Sequence, residues 1–210
     1  MNGDIARILL ETDSVKLNLK QPFKWTSGII SPIYCDNRRL ISFPEYRAVI
    51  VQGFVDLILN LPEKPEVIAG TATAAIPWAS FVAMSLNLPL LYIRPEPKGH
   101  GAGKQIEGAV ENFRGKKCII IEDLISTGGS SLKAAQAVIR ELEQKPIAIL
   151  AIFQYGFPDA AQLFKNEGYI MDTLCNLDQL LDYATSLSYF SKPETDKIRT
   201  FAHNPKLWHP

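Results

Sequence analysis

Cysteine and histidine are scarce in this chain, with three of each in 210 residues. Cys35, Cys118 and Cys175 are scattered, and none belongs to a C-x-x-C pair. That argues against a disulfide framework and a thiolate zinc site, and for reduced thiols in a cytoplasmic protein. Net charge is missing too: 22 basic residues balance 22 acidic ones. A neutral chain exerts no general pull on nucleic acid, so a polyanion could be held only by a local site, and no nucleic-acid partner is expected. The longest apolar run, near residues 48–61, is broken by Gln52 and Asp56 and is too short and polar to span a membrane, so no membrane partner is expected. Asp4, Arg7 and Glu11 in the first turns do not fit a signal peptide. Repeats and low-complexity tracts are absent, as are the Walker G-x-x-x-x-G-K-[ST] and the dinucleotide G-x-G-x-x-G.

What is present reads as an α/β domain, with the whole of 1–210 as one unit. Apolar residues recur at helical spacing over 4–12 and, more strongly, over 45–60 (Tyr46, Val49, Ile50, Phe54, Leu57, Ile58), with Pro44 and Glu45 suited to a first turn. Four short apolar runs follow, at 67–69, 88–93, 118–121 and 147–153. They are continuous rather than alternating, which predicts parallel strands buried on both faces. Helix-sized segments at 77–86 and 130–144 separate several of them, the second with Leu132, Ala135, Val138, Ile139 and Leu142 on one face and Pro146 beyond its end. The alternation implies an open, mostly parallel sheet flanked by helices. Val15, Leu17 and Leu19 alternate with polar residues, which predicts a half-buried strand in a small antiparallel subdomain. Residues 95–116 hold five glycines and almost no apolar anchor before Ile106, the pattern of a long functional loop.

The stretch CIIIEDLISTGGSS at 118–131 joins two features that do not usually share a ligand. The apolar run is read as a strand ending at Ile121, followed by the carboxylates Glu122 and Asp123. Then Ser126, Thr127, Gly128, Gly129 and Ser130 lead into a helix, so that backbone N–H groups and the helix dipole can cradle a phosphate. Carboxylates repel phosphate but accept hydrogen bonds from sugar hydroxyls, and they tolerate a nearby Mg²⁺. One molecule that satisfies both is a ribose 5-phosphate. The plain alternative is a strand ending in solvated acids before a loop that merely caps a helix.

IIIEDLISTGGSS at 119–131 resembles the phosphoribosyl-pyrophosphate (PRPP) motif of type I phosphoribosyltransferases. Three further stretches, FKWTSGIISPIYCDNR at 23–38, GTATAAIP at 70–77 and RPEPKGHG at 94–101, resemble the orotate branch of that family, in the family's order. The resemblance implies the type I phosphoribosyltransferase fold, with a hood formed mainly by about 1–43 plus C-terminal contributions and a mobile loop at about 95–108. It implies transfer of ribose 5-phosphate from PRPP to orotate, giving orotidine 5′-phosphate and pyrophosphate in pyrimidine biosynthesis. Mg²⁺ would be bound mainly through PRPP, with no direct protein ligand, and the loop of one subunit of a homodimer would serve the other's site.

The site residues expected on this basis are Arg94, Lys98, His100 and Asp123 for catalysis. The same residues, with Glu122, Leu124, Ile125, Ser126, Thr127, Gly128, Gly129 and Ser130, would bind PRPP. Arg94 can fork onto phosphate oxygens, Lys98 supplies a point charge, and His100 can donate a hydrogen bond or a proton. Ser126 and Arg38 are expected at the orotate, with Arg39 a competitor for its carboxylate, while Trp25 and Tyr34 are read as packing residues. Some family positions differ. Thr26, Thr73-Ala74 and Pro95 stand where relatives carry lysines, and Gln154-Tyr155-Gly156 stands where an arginine is found, so those roles do not transfer. Other readings are a transferase for another base and a non-catalytic PRPP sensor. The 23–38 stretch speaks against the first. The retained basic loop residues and the lack of a DNA-binding extension speak against the second. In the C-terminal region Leu177, Leu180 and Leu181 read as core, and His203 and His209 as surface or cap residues.

Overall fold

The computed structural model describes residues 2–25, 28–97, 103–205 and 208. Helix α1 (Asn2–Glu11) buries Ile5, Ile8 and Leu9 on one face. Strand β1 (Val15–Leu17) pairs antiparallel with β4 (Ile33–Cys35), with Val15 opposite Cys35, and β2 (Phe23–Lys24) pairs with β3 (Ile30–Ser31). These ribbons are the small antiparallel subdomain that the alternation at 15–19 predicts. A 3₁₀ turn at Asn37–Ser42, capped by the Asp36 side chain, leads into α2 (Pro44–Asn60), whose first residue is the proline expected there. Val49 is exposed rather than inward, since Ile50, Gly53, Phe54 and Ile58 take the buried stripe.

The main sheet has six strands in the order β10-β9-β8-β5-β6-β7. These are β5 (Val67–Thr71), β6 (Leu90–Ile93), β7 (Ile106–Glu107), β8 (Cys118–Ile125), β9 (Ala148–Gln154) and β10 (Met171–Asn176). All neighbours are parallel except β6 and β7. The helices are α3 (Ile76–Leu86), α4 (Gly129–Leu142), α5 (Pro158–Asn166), α6 (Leu177–Ser186) and α7 (Lys192–His203).

Three expectations need correction. Strand β8 does not end at Ile121 but continues through Ile125, so both carboxylates stand on the strand itself. Strand β6 is not buried on both faces: Leu90 and Tyr92 are exposed while Leu91 and Ile93 are buried. Helix α4 stops at Leu142, where Glu143 turns left-handed (φ 58°) and Gly115 N–H satisfies the Leu142 carbonyl at 2.7 Å; Ile139 lies on its exposed side. Strands β7 and β10, one of two residues and the other half polar, leave no apolar run in the sequence to mark them.

Apolar side chains fill both sides of the sheet. One cluster joins the sheet to α1, α2, α3, α6 and α7; the other joins it to α4 and Phe164 of α5. Trp25 of the hood packs against Tyr155 at 4.9 Å between ring centroids and edge-on to Phe201 of α7, and Trp208 packs on Phe201 at 5.7 Å. Helix α7 thereby packs against the antiparallel N-terminal subdomain. No helix among the described residues is long and apolar enough to cross a membrane.

Candidate functional site

The C-terminal ends of β5 and β8 meet where the strand order reverses, since β6 lies on one side of β5 and β8, β9 and β10 on the other. In open α/β sheets the crevice at such a point is where ligands bind. A cavity of about 600 Å³ opens there, lined by the turn at 71–74, Arg94 to Glu96, Gln105, Glu122 to Leu124, and the first turns of α4 at Gly129, Ser130 and Lys133. The turn after β5 contains a cis peptide bond between Ala72 and Thr73.

Because side chains alternate along a strand, the adjacent acids of β8 take different surroundings. Glu122 is 5% exposed; Ser131 of α4 donates to its Oε1 at 2.8 Å and Thr71 of β5 donates to its Oε2. Burial pushes the Glu122 carboxyl up to about 7, against the pull of these two hydroxyls. Asp123 lies on the hood side. Burial pushes its carboxyl up to about 6, with its own backbone N–H and the charge of Arg38 acting the other way. Its carbonyl oxygen accepts from Asn37 Nδ2 at 2.5 Å.

The turn at 126–128 depends on glycine. Gly128 has φ +80°, and a Cβ there would stand 2.8 Å from the Phe164 ring. No side chain caps α4, so the N–H groups of its first turn are left for a ligand. Leu132 N–H already bonds the Gly128 carbonyl at 3.0 Å. Ser126 is half-buried, Thr127 and Ser130 are exposed, and Ile125 is packed into the core, so only the Ile125 backbone can serve a ligand.

Two cations stand at the described rim, each beside a carboxylate. Arg94 meets Glu107 at 3.4 Å and Lys133 meets Glu96 at 3.9 Å. Arg38 lies outside this cavity and is exposed, its guanidinium forked onto Asp36 at 2.5 and 2.9 Å. Arg39 turns away, donating to the Thr12 carbonyl at 2.8 Å. Lys98, His100, Thr26 and His209 lie outside the described residues. Trp25 is a packing residue, as expected, and Tyr34 packs on Phe23 at 5.6 Å.

The cavity also gathers residues that the sequence reading did not select: Thr71, Glu96, Gln105 and Lys133. Lys133 had a signal. A helix starting at the phosphate loop carries Gly129 and Lys133 one turn apart on the same face. Gln105 had none, because only the chain's return through β7 brings it to the rim, whereas Glu96 arrives with Arg94 directly after β6.

Residues 48–156 match the phosphoribosyl transferase domain family. That span carries β5 to β9 and the whole cavity; the antiparallel ribbons β1 to β4 lie before it. The chain is 44% identical over 205 residues to an orotate phosphoribosyltransferase of Cytophaga hutchinsonii, covering 98% of this chain and 97% of that protein. The solved orotate phosphoribosyltransferase of Aeropyrum pernix superposes with a TM-score of 0.69 at 27% identity, over 89% of this chain and 99% of the other. The UMP synthase of Leishmania donovani superposes with a TM-score of 0.78 at 28% identity over 96% of this chain, which spans 42% of that longer protein.

Proposed function

The chain belongs to the orotate phosphoribosyltransferase family, and from that premise we propose how its cavity carries out the transfer of ribose 5-phosphate from PRPP to orotate, with release of pyrophosphate. The observation that carries the reading is the single cavity in which the β8 acids, the first turn of α4 at Gly129 and Ser130, and the cations Arg94 and Lys133 converge. The 5-phosphate takes the N–H groups of 126–130 and the α4 N-terminus. Asp123 accepts from a ribose hydroxyl, and Glu122 can serve the sugar only through lone pairs that Thr71 and Ser131 leave over. The diphosphate then extends toward the 71–74 turn and Arg94. Orotate lies under the hood beside Ser126, with Arg38 as the cation for its carboxylate. Arg38 is at present forked onto half-buried Asp36, a pairing that the orotate carboxylate would share or replace.

Breaking the anomeric bond leaves positive charge on the ribose and negative charge on the departing pyrophosphate. Asp123, facing the sugar, stabilises the first; Arg94, together with Lys98 and His100, stabilises the second. The donor set suits Mg²⁺ carried in on diphosphate oxygens: among the described residues no three acidic, histidine or cysteine side chains gather into a cage, and both oxygens of Glu122 are already engaged by hydroxyls. Such an ion would offset diphosphate charge, near Asp123. We further infer a cytoplasmic homodimer in which the loop at about 95–108 of one subunit serves the other's cavity; mixing Lys98→Ala and Asp123→Asn subunits should then restore part of the lost activity.

The direct test follows the ultraviolet absorbance of orotate in the presence of PRPP and Mg²⁺. Loss of orotate that requires PRPP is expected. A folded protein that binds PRPP but leaves orotate untouched would move the assignment to another base or to a sensor.

A further inference from the structure

Gln105 is a polar residue buried in the cavity wall, only 6% exposed, and its amide is fully engaged. Nε2 donates to the carbonyl oxygens of Arg94 and Pro95 at 2.8 and 3.3 Å, and Oε1 accepts from Arg140 of α4 at 3.0 Å. The backbone around it is tied in the same direction. Arg94 N–H bonds the Gln105 carbonyl at 2.9 Å, and the N–H groups of Gln105 and Ile106 donate to the two carboxylate oxygens of Glu141 at 2.9 and 3.1 Å. Arg140 also meets Glu141 at 3.0 Å.

The Gln105 side chain and carbonyl hold the backbone of Arg94 and Pro95, while Glu141 holds the N–H groups of Gln105 and Ile106. Through Arg140 and Glu141 in its last turn, α4 is thus tied to the chain that carries the cavity's arginine, with the Gln105 side chain as the link to Arg94 itself. The Arg94 side chain meets Glu107 at 3.4 Å, longer than a good charge-assisted hydrogen bond. The place of the guanidinium is therefore set mainly by its backbone anchor. A buried amide that only filled space would not need both donors on these two carbonyls.

We propose that Gln105 is a positioning residue for Arg94, holding to α4 the backbone from which Arg94 reaches the diphosphate. This rests on the reading of the cavity as a PRPP site. A misplacement of about 1 Å at a reacting centre can cost as much as ~10²-fold in rate, so a loss of about tenfold or more in kcat/KM for PRPP is expected when the anchor is removed.

The test is a double-mutant cycle with Gln105→Met, which keeps the buried volume, Arg94→Ala and the pair, read as kcat/KM for PRPP, KM for orotate and pyrophosphate affinity by calorimetry. Gln105→Met should weaken PRPP and pyrophosphate, leave KM for orotate within about twofold, and add almost nothing once Arg94 is already alanine. Losses that add across the cycle, or a folded Gln105→Met enzyme with normal PRPP kinetics, would overturn the proposal. If Gln105→Met does not fold, Arg140→Met removes the support from the other side and should show the same dependence on Arg94. Parent protein that binds no pyrophosphate and turns over no orotate would defeat the cavity reading itself, a result distinct from additivity.

Discussion

Glu122 is an acid placed where ionisation is disfavoured. Its carboxyl titrates near 7 in the folded chain against an ordinary 4.5, so the folded state holds a proton that the unfolded state has released. The stabilising effect is full below about pH 4.5 and is lost as pH rises through 7, a loss on the order of 3 kcal/mol for this group taken alone. Asp123, raised to about 6, acts in the same sense over a lower window. Glu122→Gln should therefore flatten the decline in stability between pH 5 and pH 8 while reducing PRPP affinity. Urea midpoints at the two pH values check this, and an unchanged pH slope would contradict it. Lys133 and Glu96 offer a second prediction. Both side chains are largely exposed, so their pairing is worth about 0–1 kcal/mol and is easily exchanged for a phosphate. Lys133→Ala should weaken pyrophosphate binding several-fold and Glu96→Gln should strengthen it. Calorimetry that found both changes acting in the same direction would remove Lys133 from the site.

At the scale of elements, the runs at 67–69 and 118–121 announced their strands but not where they end. Thr71, Glu122 and Asp123 interrupt the apolar pattern because ligand contacts are made at the carboxyl ends of parallel strands. The sequence therefore becomes hardest to read as strand where the site begins. The turn into α4 was legible for the opposite reason: Gly128 takes a positive φ, and a pair of glycines after small hydroxyl residues declares that freedom, though not the Phe164 ring beside it. The docking of the hood left no such trace. It depends in part on buried Asn37, whose amide donates to the Asp123 carbonyl 86 positions away while its Oδ1 accepts from Cys35 Sγ at 3.3 Å. Asn37→Ala would leave that carbonyl unpaired, at a cost of about 1–3 kcal/mol. Denaturant unfolding measures this, and a midpoint equal to the parent's would show that the bond contributes nothing net.

For the molecule as a whole, one aromatic cluster joins distant parts of the chain, with Trp25, Tyr155, Phe157 and Phe201 packed together and Trp208 laid over the last of them. The short β7 has a wider consequence. It returns antiparallel to the edge of β6, so β5 and β6 are flanked on one side by β8 and on the other by β7. A single cleavage between Pro97 and Gly103 would yield an N-terminal piece whose two sheet strands are enclosed by strands of the C-terminal piece. The pieces could not separate without opening the sheet on both sides of that pair. Protein nicked there should migrate as two bands on a denaturing gel yet elute as one species from a native sizing column. The two halves, expressed as separate chains, are in this respect a split protein whose topology favours reassembly.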